Sequence, residues 1–155
     1  KGYGYASKEV FKNANYILIE HPVNQKECIS FMERFVGTLG FKSVKIMSPQ
    51  AHDEIISFTS QLPHAIAVSL INSDNEKYET GKYIGDSYRD LTRIANINEN
   101  LWSELFLRNS DYLLASIEAF EEQLDLIKVA LKDNDERLLK DLFIKSSLRR
   151  EKLEK

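Results

Sequence analysis

The chain has 155 residues, 43% of them apolar, and a formal net charge of −3 at pH 7. This length suits one domain, or one domain with part of another, and the apolar content excludes an intrinsically disordered chain. The negative charge and the wide spread of the lysines argue against a nucleic-acid partner. No apolar run approaches the roughly 20 residues that span a bilayer, and the first residues carry no signal-peptide core.

The single cysteine, Cys28, cannot form an internal disulfide, which fits a reducing, cytoplasmic environment. The three histidines do not have metal-ligand spacing, so no structural metal site is expected. The GYG at residues 2–4 is not a phosphate-binding fingerprint, because no strand precedes it and the glycine spacing is wrong. The chain has no initiator methionine, so we expect it to have been cut or trimmed.

The first part of the chain has the pattern of one βαβ unit. Residues 15–19 (NYILI) and 42–47 (KSVKIM) are strand-like, and apolar residues at helical spacing lie between them and end near Gly40. Strands joined in this way are parallel, and parallel strands normally lie inside larger sheets. We therefore expect this part to be the end of a larger α/β domain. The alternative is that the two strands pair with parts of the helical region.

The remainder of the chain, from residue 49 onward, has a helical pattern. Ser48 and Pro49 predict the N-cap and first turn of an apolar helix that runs to about residue 73. Pro63 should kink this helix and free the Thr59 carbonyl. A polar stripe follows the helix at intervals of three to four residues: Asp53, Ser57, Ser60 or Gln61, and His64.

Further caps and a heptad pattern divide the rest of this region. Asn98 is expected to cap a helix that runs to about Lys132, and residues 133–135 should separate it from a final helix. Capping boxes are predicted at Asn24 with Glu27 and at Ser87 with Asp90. The long helix carries a seam of apolar a and d positions that suits lengthwise packing on another helix, in this chain or in a partner: Leu113, Ile117, Phe120, Leu124, Ile127 and Leu131.

Asp90 and Arg93 lie one helical turn apart among apolar residues. Such a pair is often an ordinary helix salt bridge. Here Leu91 and Ile94 predict partial burial of the guanidinium, which would then need a carboxylate partner and could bind a carboxylate ligand. Trp102, the only tryptophan, could line that pocket, although a single tryptophan is more often part of a core.

His64 allows two interpretations. A histidine in an apolar helix is more often a hydrogen-bonded core residue than a functional one. The preceding Pro63 and the polar stripe favour a functional role.

Three stretches of the chain resemble the prephenate and arogenate dehydrogenase family, the enzymes of tyrosine biosynthesis. Residues 1–22 (KGYGYASKEVFKNANYILIEHP) look like the segment that follows the family's catalytic histidine motif. Residues 47–70 (MSPQAHDEIISFTSQLPHAIAVSL) and 88–109 (YRDLTRIANINENLWSELFLRN) resemble two longer family signatures. The resemblance covers essentially the whole chain.

The resemblance implies a reaction and a fold. The reaction is the oxidative decarboxylation of prephenate to 4-hydroxyphenylpyruvate, in which NAD or NADP takes hydride and a histidine accepts the hydroxyl proton. The implied fold is mainly α: an all-helical substrate-binding and dimerisation domain over residues 49–155, preceded at residues 1–48 by a βαβ remnant of a Rossmann-type α/β domain. A cytoplasmic homodimer is expected. Arogenate dehydrogenase and a non-catalytic helical dimerisation module are the alternatives.

The resemblance also implies which side chains meet the substrate. Arg93 matches the arginine that binds a substrate carboxylate, and His64 and Trp102 match residues near the pocket. Asp90 matches an acidic residue of an ion network that includes His52. The implied substrate-binding set is Arg93, His64, Asp90, His52, Trp102 and Gln61.

The chain departs from the family pattern in three places. Gln61 stands where the family often has a histidine. Residues 85–87 (GDS) replace consecutive glycines, which leaves open whether tyrosine acts as an effector. The glycine-rich dinucleotide motif and the catalytic histidine motif are expected upstream of Lys1. The chain alone is therefore expected to hold no catalytic residue and little of the NAD(P) site, and not to turn over substrate.

Overall fold

A computed structural model of the chain describes residues 3–153, and the side chains of all of these except 3 and 8. The structure consists mainly of helices with one two-stranded parallel sheet, as the sequence predicted. It contains two compact units, the first ending at Thr59 and the second beginning at Ser60. The strands and helices, in chain order, are β1 (Asn15–Ile19), α1 (Lys26–Thr38), β2 (Ser43–Met47), α2 (Pro49–Ile56), α3 (Leu62–Asn72), α4 (Asp86–Thr92), α5 (Glu99–Arg108), α6 (Ser110–Lys132) and α7 (Glu136–Leu153).

The first unit contains the predicted βαβ arrangement. β1 and β2 pair in parallel, with Asn15 opposite Ser43 at one end. Gly40 follows α1 with φ 91°, a conformation that glycine adopts without strain, and this confirms its predicted place at the helix end. Val36 of α1 is 1% exposed and forms the centre of this unit's core.

The predicted capping box at Asn24 and Glu27 is wrong. The N-cap residue of α1 is Gln25, whose side chain makes no capping hydrogen bond. The Asn24 side chain instead accepts a hydrogen bond from the His21 backbone N–H at 2.7 Å, within the preceding turn. Asparagine is common both in turns and at helix N-caps, and the Asn24 side chain stabilises the turn instead of the helix end.

The cap at Ser48 and the interruption near Pro63 are both present. Ser48 Oγ accepts from the Ala51 N–H at 3.2 Å. The predicted kink takes the form of a π-helical turn over Ser57–Gln61, directly before α3. Proline has no N–H to donate, and a π turn is a common way for a helix to accommodate the missing bond.

The helices of the second unit begin and end differently from the prediction at two places. α4 begins after Gly85, with no side-chain cap, so the predicted capping box at Ser87 and Asp90 is wrong. Asn98 caps α5 as predicted, its Oδ1 accepting from the Leu101 N–H at 2.9 Å. The expected single helix from there onward is divided into α5 and α6 at Asn109.

The α6 seam, defined as the six heptad residues between Leu113 and Leu131, is only partly covered. α6 packs on α3, α5 and α7. Leu113 is 4% exposed, whereas Leu124 is 46% and Leu131 is 64% exposed. The seam therefore contributes to the core at its beginning and leaves apolar surface free towards its end.

Candidate functional site

The centre of the candidate site is a stack of two rings from different helices. The imidazole of His64 on α3 lies on the indole of Trp102 on α5, with centroids 3.7 Å apart and planes at 28°. Phe106 meets the indole edge-on, with centroids 5.7 Å apart. Both His64 and Trp102 are half-buried, so the stack keeps one side open to solvent.

The protonation of the neutral His64 ring follows from its hydrogen bond. His64 Nδ1 lies 2.8 Å from the carbonyl oxygen of Ser60. A carbonyl oxygen only accepts, so Nδ1 carries the proton and Nε2 of the neutral ring is an acceptor. The stack thus offers a ligand an aromatic wall and one basic nitrogen.

Gln61 lies one turn before His64 and is 5% exposed. Its Nε2 donates to the Leu105 carbonyl at 3.1 Å, and its Oε1 accepts from the Asn109 side-chain amide at 2.9 Å. The structure therefore brings together three of the predicted site residues: Gln61, His64 and Trp102.

The predicted partial burial of the Arg93 guanidinium, one turn after Asp90, is wrong. Both side chains are exposed, and Leu91 between them is 60% exposed. α4 ends at Thr92, so Arg93 lies at its C-cap and not inside a longer buried helix. Within residues 3–153, neither side chain makes an ion pair or a hydrogen bond, so the helix salt bridge between them is not formed.

His52 belongs to α2 in the first unit. Its Nδ1 lies 2.9 Å from Oδ1 of Asp53, so the described partner of the His52 side chain is the next residue in the chain.

Asn109 and Phe106 are site residues that the sequence did not single out. Asn109 falls at the end of the family-like stretch 88–109, and Phe106 lies one turn after Trp102. Phe106 and Asn109 follow Trp102 by four and seven residues, a spacing that places all three on one side of α5 and its C-terminal end. This helical spacing is the sequence feature that could have identified them as site residues.

Among the cavities that lie away from the stack, two border elements of the predicted domains. In the second unit, an apolar groove of about 420 Å³ runs between α3 and α6, where Ile66 and Leu70 face Ile117, Phe120 and Leu124. In the first unit, a cavity of about 460 Å³ lies beyond the carboxyl ends of β1 and β2, the end of a parallel sheet at which ligands bind. This second cavity is bordered by Glu20, His21, Pro22, Asn24, Lys26, Ser48, Pro49 and Gln50.

No helix between residues 3 and 153 has both the length and the hydropathy that a bilayer crossing requires. In the same range, no three side chains of His, Cys, Asp or Glu come together as metal ligands would.

Comparison with known proteins defines the family. Residues 48–145 match the family described as prephenate dehydrogenase, dimerization domain, and the chain belongs to this family. A prephenate dehydrogenase of Bacillus subtilis is 28% identical over 138 residues, which are 86% of this chain and 37% of that protein. A cyclohexadienyl dehydrogenase of Zymomonas mobilis is 27% identical over 143 residues, which are 89% of this chain and 48% of that protein.

Solved structures give the same result for the fold. The structure of prephenate dehydrogenase from A. aeolicus in complex with hydroxyphenyl propionate and NAD+ matches with a TM-score of 0.82 and 28% identity. The match covers 97% of this chain and 54% of that one. Synechocystis arogenate dehydrogenase has the same fold, with a TM-score of 0.83 at 22% identity. The chain thus spans about half, or less, of the relatives it matches.

Proposed function

We propose that the chain is the substrate-binding and dimerisation part of a prephenate dehydrogenase. The reaction is the NAD(P)-dependent oxidative decarboxylation of prephenate to 4-hydroxyphenylpyruvate, a step of tyrosine biosynthesis. Family membership supports this, as does the likeness to relatives with dehydrogenase names.

The observation that carries the proposal is the state of Arg93. Its guanidinium is exposed and has no carboxylate partner among residues 3–153. A guanidinium presents its donors in a fork that matches a carboxylate bidentately, and prephenate carries two carboxylates. Arg93 is therefore assigned to one carboxylate of the substrate. Asp90 is exposed one turn earlier on α4, and its place in an ion network with His52 stays an implication of the family resemblance.

The stack of His64 and Trp102 supplies the second part of the substrate site. The indole forms a flat wall for the six-membered ring. The imidazolium form of His64, which keeps the Nδ1–H bond to Ser60, donates from Nε2 to the ketone or carboxylate of the prephenate side chain. These residues bind and orient; the histidine that accepts the hydroxyl proton belongs to the part of the enzyme that precedes this chain.

The cofactor belongs mainly to that preceding part as well. NAD(P), when bound, accepts the hydride. The turn from β1 to α1 (residues 20–25, EHPVNQ) has no glycine, so it does not have the phosphate-binding loop that a dinucleotide needs. The cavity beyond β1 and β2 gives this chain at most an edge of the cofactor cleft.

We assign residues 1–48 to the end of a dinucleotide-binding domain and residues 49–155 to the helical domain. Two parallel strands alone make a marginal sheet, and both faces of a parallel sheet are normally covered. The pairing of β1 with β2 is therefore best explained as the edge of a larger sheet.

We further assign the α6 seam to a homodimer interface. Leu124 and Leu131 of the seam are 46% and 64% exposed, which leaves apolar surface for a partner to cover. Leu124 of the seam also borders the apolar groove against α3, which a second copy would fill. The family's description as a dimerization domain agrees with this assignment.

Arogenate is the second candidate substrate, and the hydrogen bond of His64 favours it. Arogenate carries an ammonium group where prephenate carries a ketone. The acceptor at Nε2 of the neutral ring can receive an N–H from that ammonium. Parallel titrations with the two compounds distinguish the candidates.

The test is a titration with prephenate, followed through the fluorescence of Trp102. It is carried out on the chain and on the enzyme that joins it to its dinucleotide-binding part. Arg93→Ala should abolish saturable binding and leave the circular dichroism spectrum unchanged, because the side chain has no structural partner. Arg89→Ala, which removes an exposed arginine of α4, is the matched control and should bind normally. Equal affinity of Arg93→Ala and the unaltered enzyme would overturn the assignment.

A further inference from the structure

Both polar atoms of the Gln61 amide are hydrogen-bonded within the protein. The residue is 5% exposed, and both ends of its amide are bonded to the α5–α6 junction, at Leu105 and Asn109. Its orientation is fixed, because a flipped amide would place Oε1 against the Leu105 carbonyl oxygen, and two acceptors do not bond. At 5% exposure the side chain also has little surface left for a ligand.

The bond to Leu105 also completes the end of α5. The Asn109 backbone N–H, which would continue the helix by bonding the Leu105 carbonyl, turns instead to the Phe106 carbonyl at 3.3 Å. The carbonyl of Leu105 thus needs another donor, and Gln61 Nε2 provides it. A leucine at position 61 would leave this carbonyl, and the amide of Asn109, without these partners.

The same pair of helix faces carries the ring stack. Gln61 and His64 are three residues apart at the start of α3. Their partners on α5, Leu105 and Trp102, are also three residues apart. The hydrogen bonds of Gln61 and the ring stack therefore lie side by side and hold one face of α3 against one face of α5.

We propose that Gln61 and Asn109 are positioning residues, which hold α5 against α3 so that the indole of Trp102 lies on the imidazole of His64. Gln61 itself does not touch substrate. The Ser60 carbonyl fixes one edge of the His64 ring, and the indole fixes its plane. The importance of the stack for the substrate rests on the proposed function; its dependence on Gln61 and Asn109 does not.

The first experiment needs no substrate. The chain has three histidines, at 21, 52 and 64, so their ring protons can be assigned in an NMR spectrum. The ring current of an indole 3.7 Å away shifts the His64 ring protons upfield. Gln61→Leu should return these signals to the range of the other two histidines while helicity is retained. Gln50→Leu, which alters an exposed glutamine of α2, is the control and should leave them in place.

Asn109→Ala gives an independent measurement if Gln61→Leu fails to fold. It removes one of the two hydrogen bonds of the Gln61 amide at a half-buried position. We expect a partial return of the His64 signals, smaller than in Gln61→Leu. Unchanged His64 signals in a folded Gln61→Leu or Asn109→Ala protein would overturn the proposal.

Prephenate binding then separates this inference from the proposed function. Gln61→Leu should weaken binding about tenfold, the effect of one misplaced hydrogen-bonding group. Gln61→Glu keeps the acceptor for Asn109 but places a carboxylate oxygen against the Leu105 carbonyl at a buried position, so its loss should be at least as large. If the stack collapses and affinity does not change, the positioning role stands and the role of His64 in substrate binding is wrong.

Discussion

His64 donates a hydrogen bond from Nδ1 to the carbonyl of Ser60, one helical turn earlier, at 2.8 Å. The orientation of the imidazole is therefore set by α3 and the π turn before it, within a single segment of chain. Trp102 then defines which face of the ring is covered. A residue held in this way is pre-organised for a ligand, because little rotational freedom remains to be lost on binding.

Replacement of His64 tests this arrangement. His64→Leu should lower the affinity for prephenate about tenfold or more, because the donor at Nε2 of the imidazolium ring to the prephenate side chain is lost. The measurement is isothermal titration calorimetry, which does not depend on the tryptophan signal. His21→Leu, an exposed histidine of the first unit, should bind as the unaltered protein does. An equal loss in both variants would show that the effect is not local to the stack.

Charged residues in the α6 seam should prevent association. Leu124→Glu with Leu131→Glu places two carboxylates on the proposed interface, where burial without a partner is costly. Sedimentation equilibrium should show a monomer for this double variant. Leu107→Glu alters a leucine of α5 that is 76% exposed and lies outside the seam, and it should remain dimeric. A dimer that survives the double substitution would place the interface elsewhere.

Val36 and Val23 allow the effect of a buried valine on the free energy of unfolding to be compared with that of an exposed one. Val36 is 1% exposed and Val23 is 80% exposed. Val36→Ala should lower the free energy of unfolding by about 2 kcal/mol, since it removes two buried methyl groups and leaves a cavity. Val23→Ala should change it by less than about 0.5 kcal/mol. Chemical denaturation followed by circular dichroism measures both, and comparable losses would contradict the observed core.

The loop before α4 should respond to acid through Asp74. Hydrogen bonds from the Thr80 side chain and the Glu76 backbone N–H hold the pKa of the Asp74 carboxyl below its ordinary value. A carboxyl with a lowered pKa stabilises the folded loop above the unfolded pKa, and this contribution is lost as the pH falls below about 4. Hydrogen exchange at the Glu76 amide should therefore become relatively faster at low pH. Asp74→Asn should remove this pH dependence, and its persistence in that variant would contradict the assignment.

Local chemistry explains which helix and strand boundaries the sequence could predict. Ser48 and Asn98 cap their helices because each directly precedes the first turn with no better candidate nearby. The sequence predicts a cap at Asn24, whereas its side chain lies in the preceding turn. A cap and a turn each satisfy one backbone N–H, so the two conformations differ little in free energy. Ser87 was displaced as a cap because α4 begins at Asp86, after Gly85.

The parts that the sequence could not predict depend on contacts between distant residues. Nothing in the local pattern at Asn109 indicates a break, because no proline or glycine stands there; the break is stabilised by Gln61, 48 residues earlier. The apolar residues Leu91 and Ile94 predict partial burial of Arg93 only where one helix runs past all three. α4 ends at Thr92, so the apolar neighbours of Arg93 no longer form a buried stripe around it.

The small core of the chain has a consequence for its behaviour in solution. Within residues 3–153, the fully buried apolar side chains are Val36, Leu62, Ala67, Leu113 and Ala130, a set that includes two alanines, while many large ones lie exposed. A second copy that covers these side chains would add to the free energy that keeps the chain folded. By mass action, its thermal midpoint should rise with protein concentration.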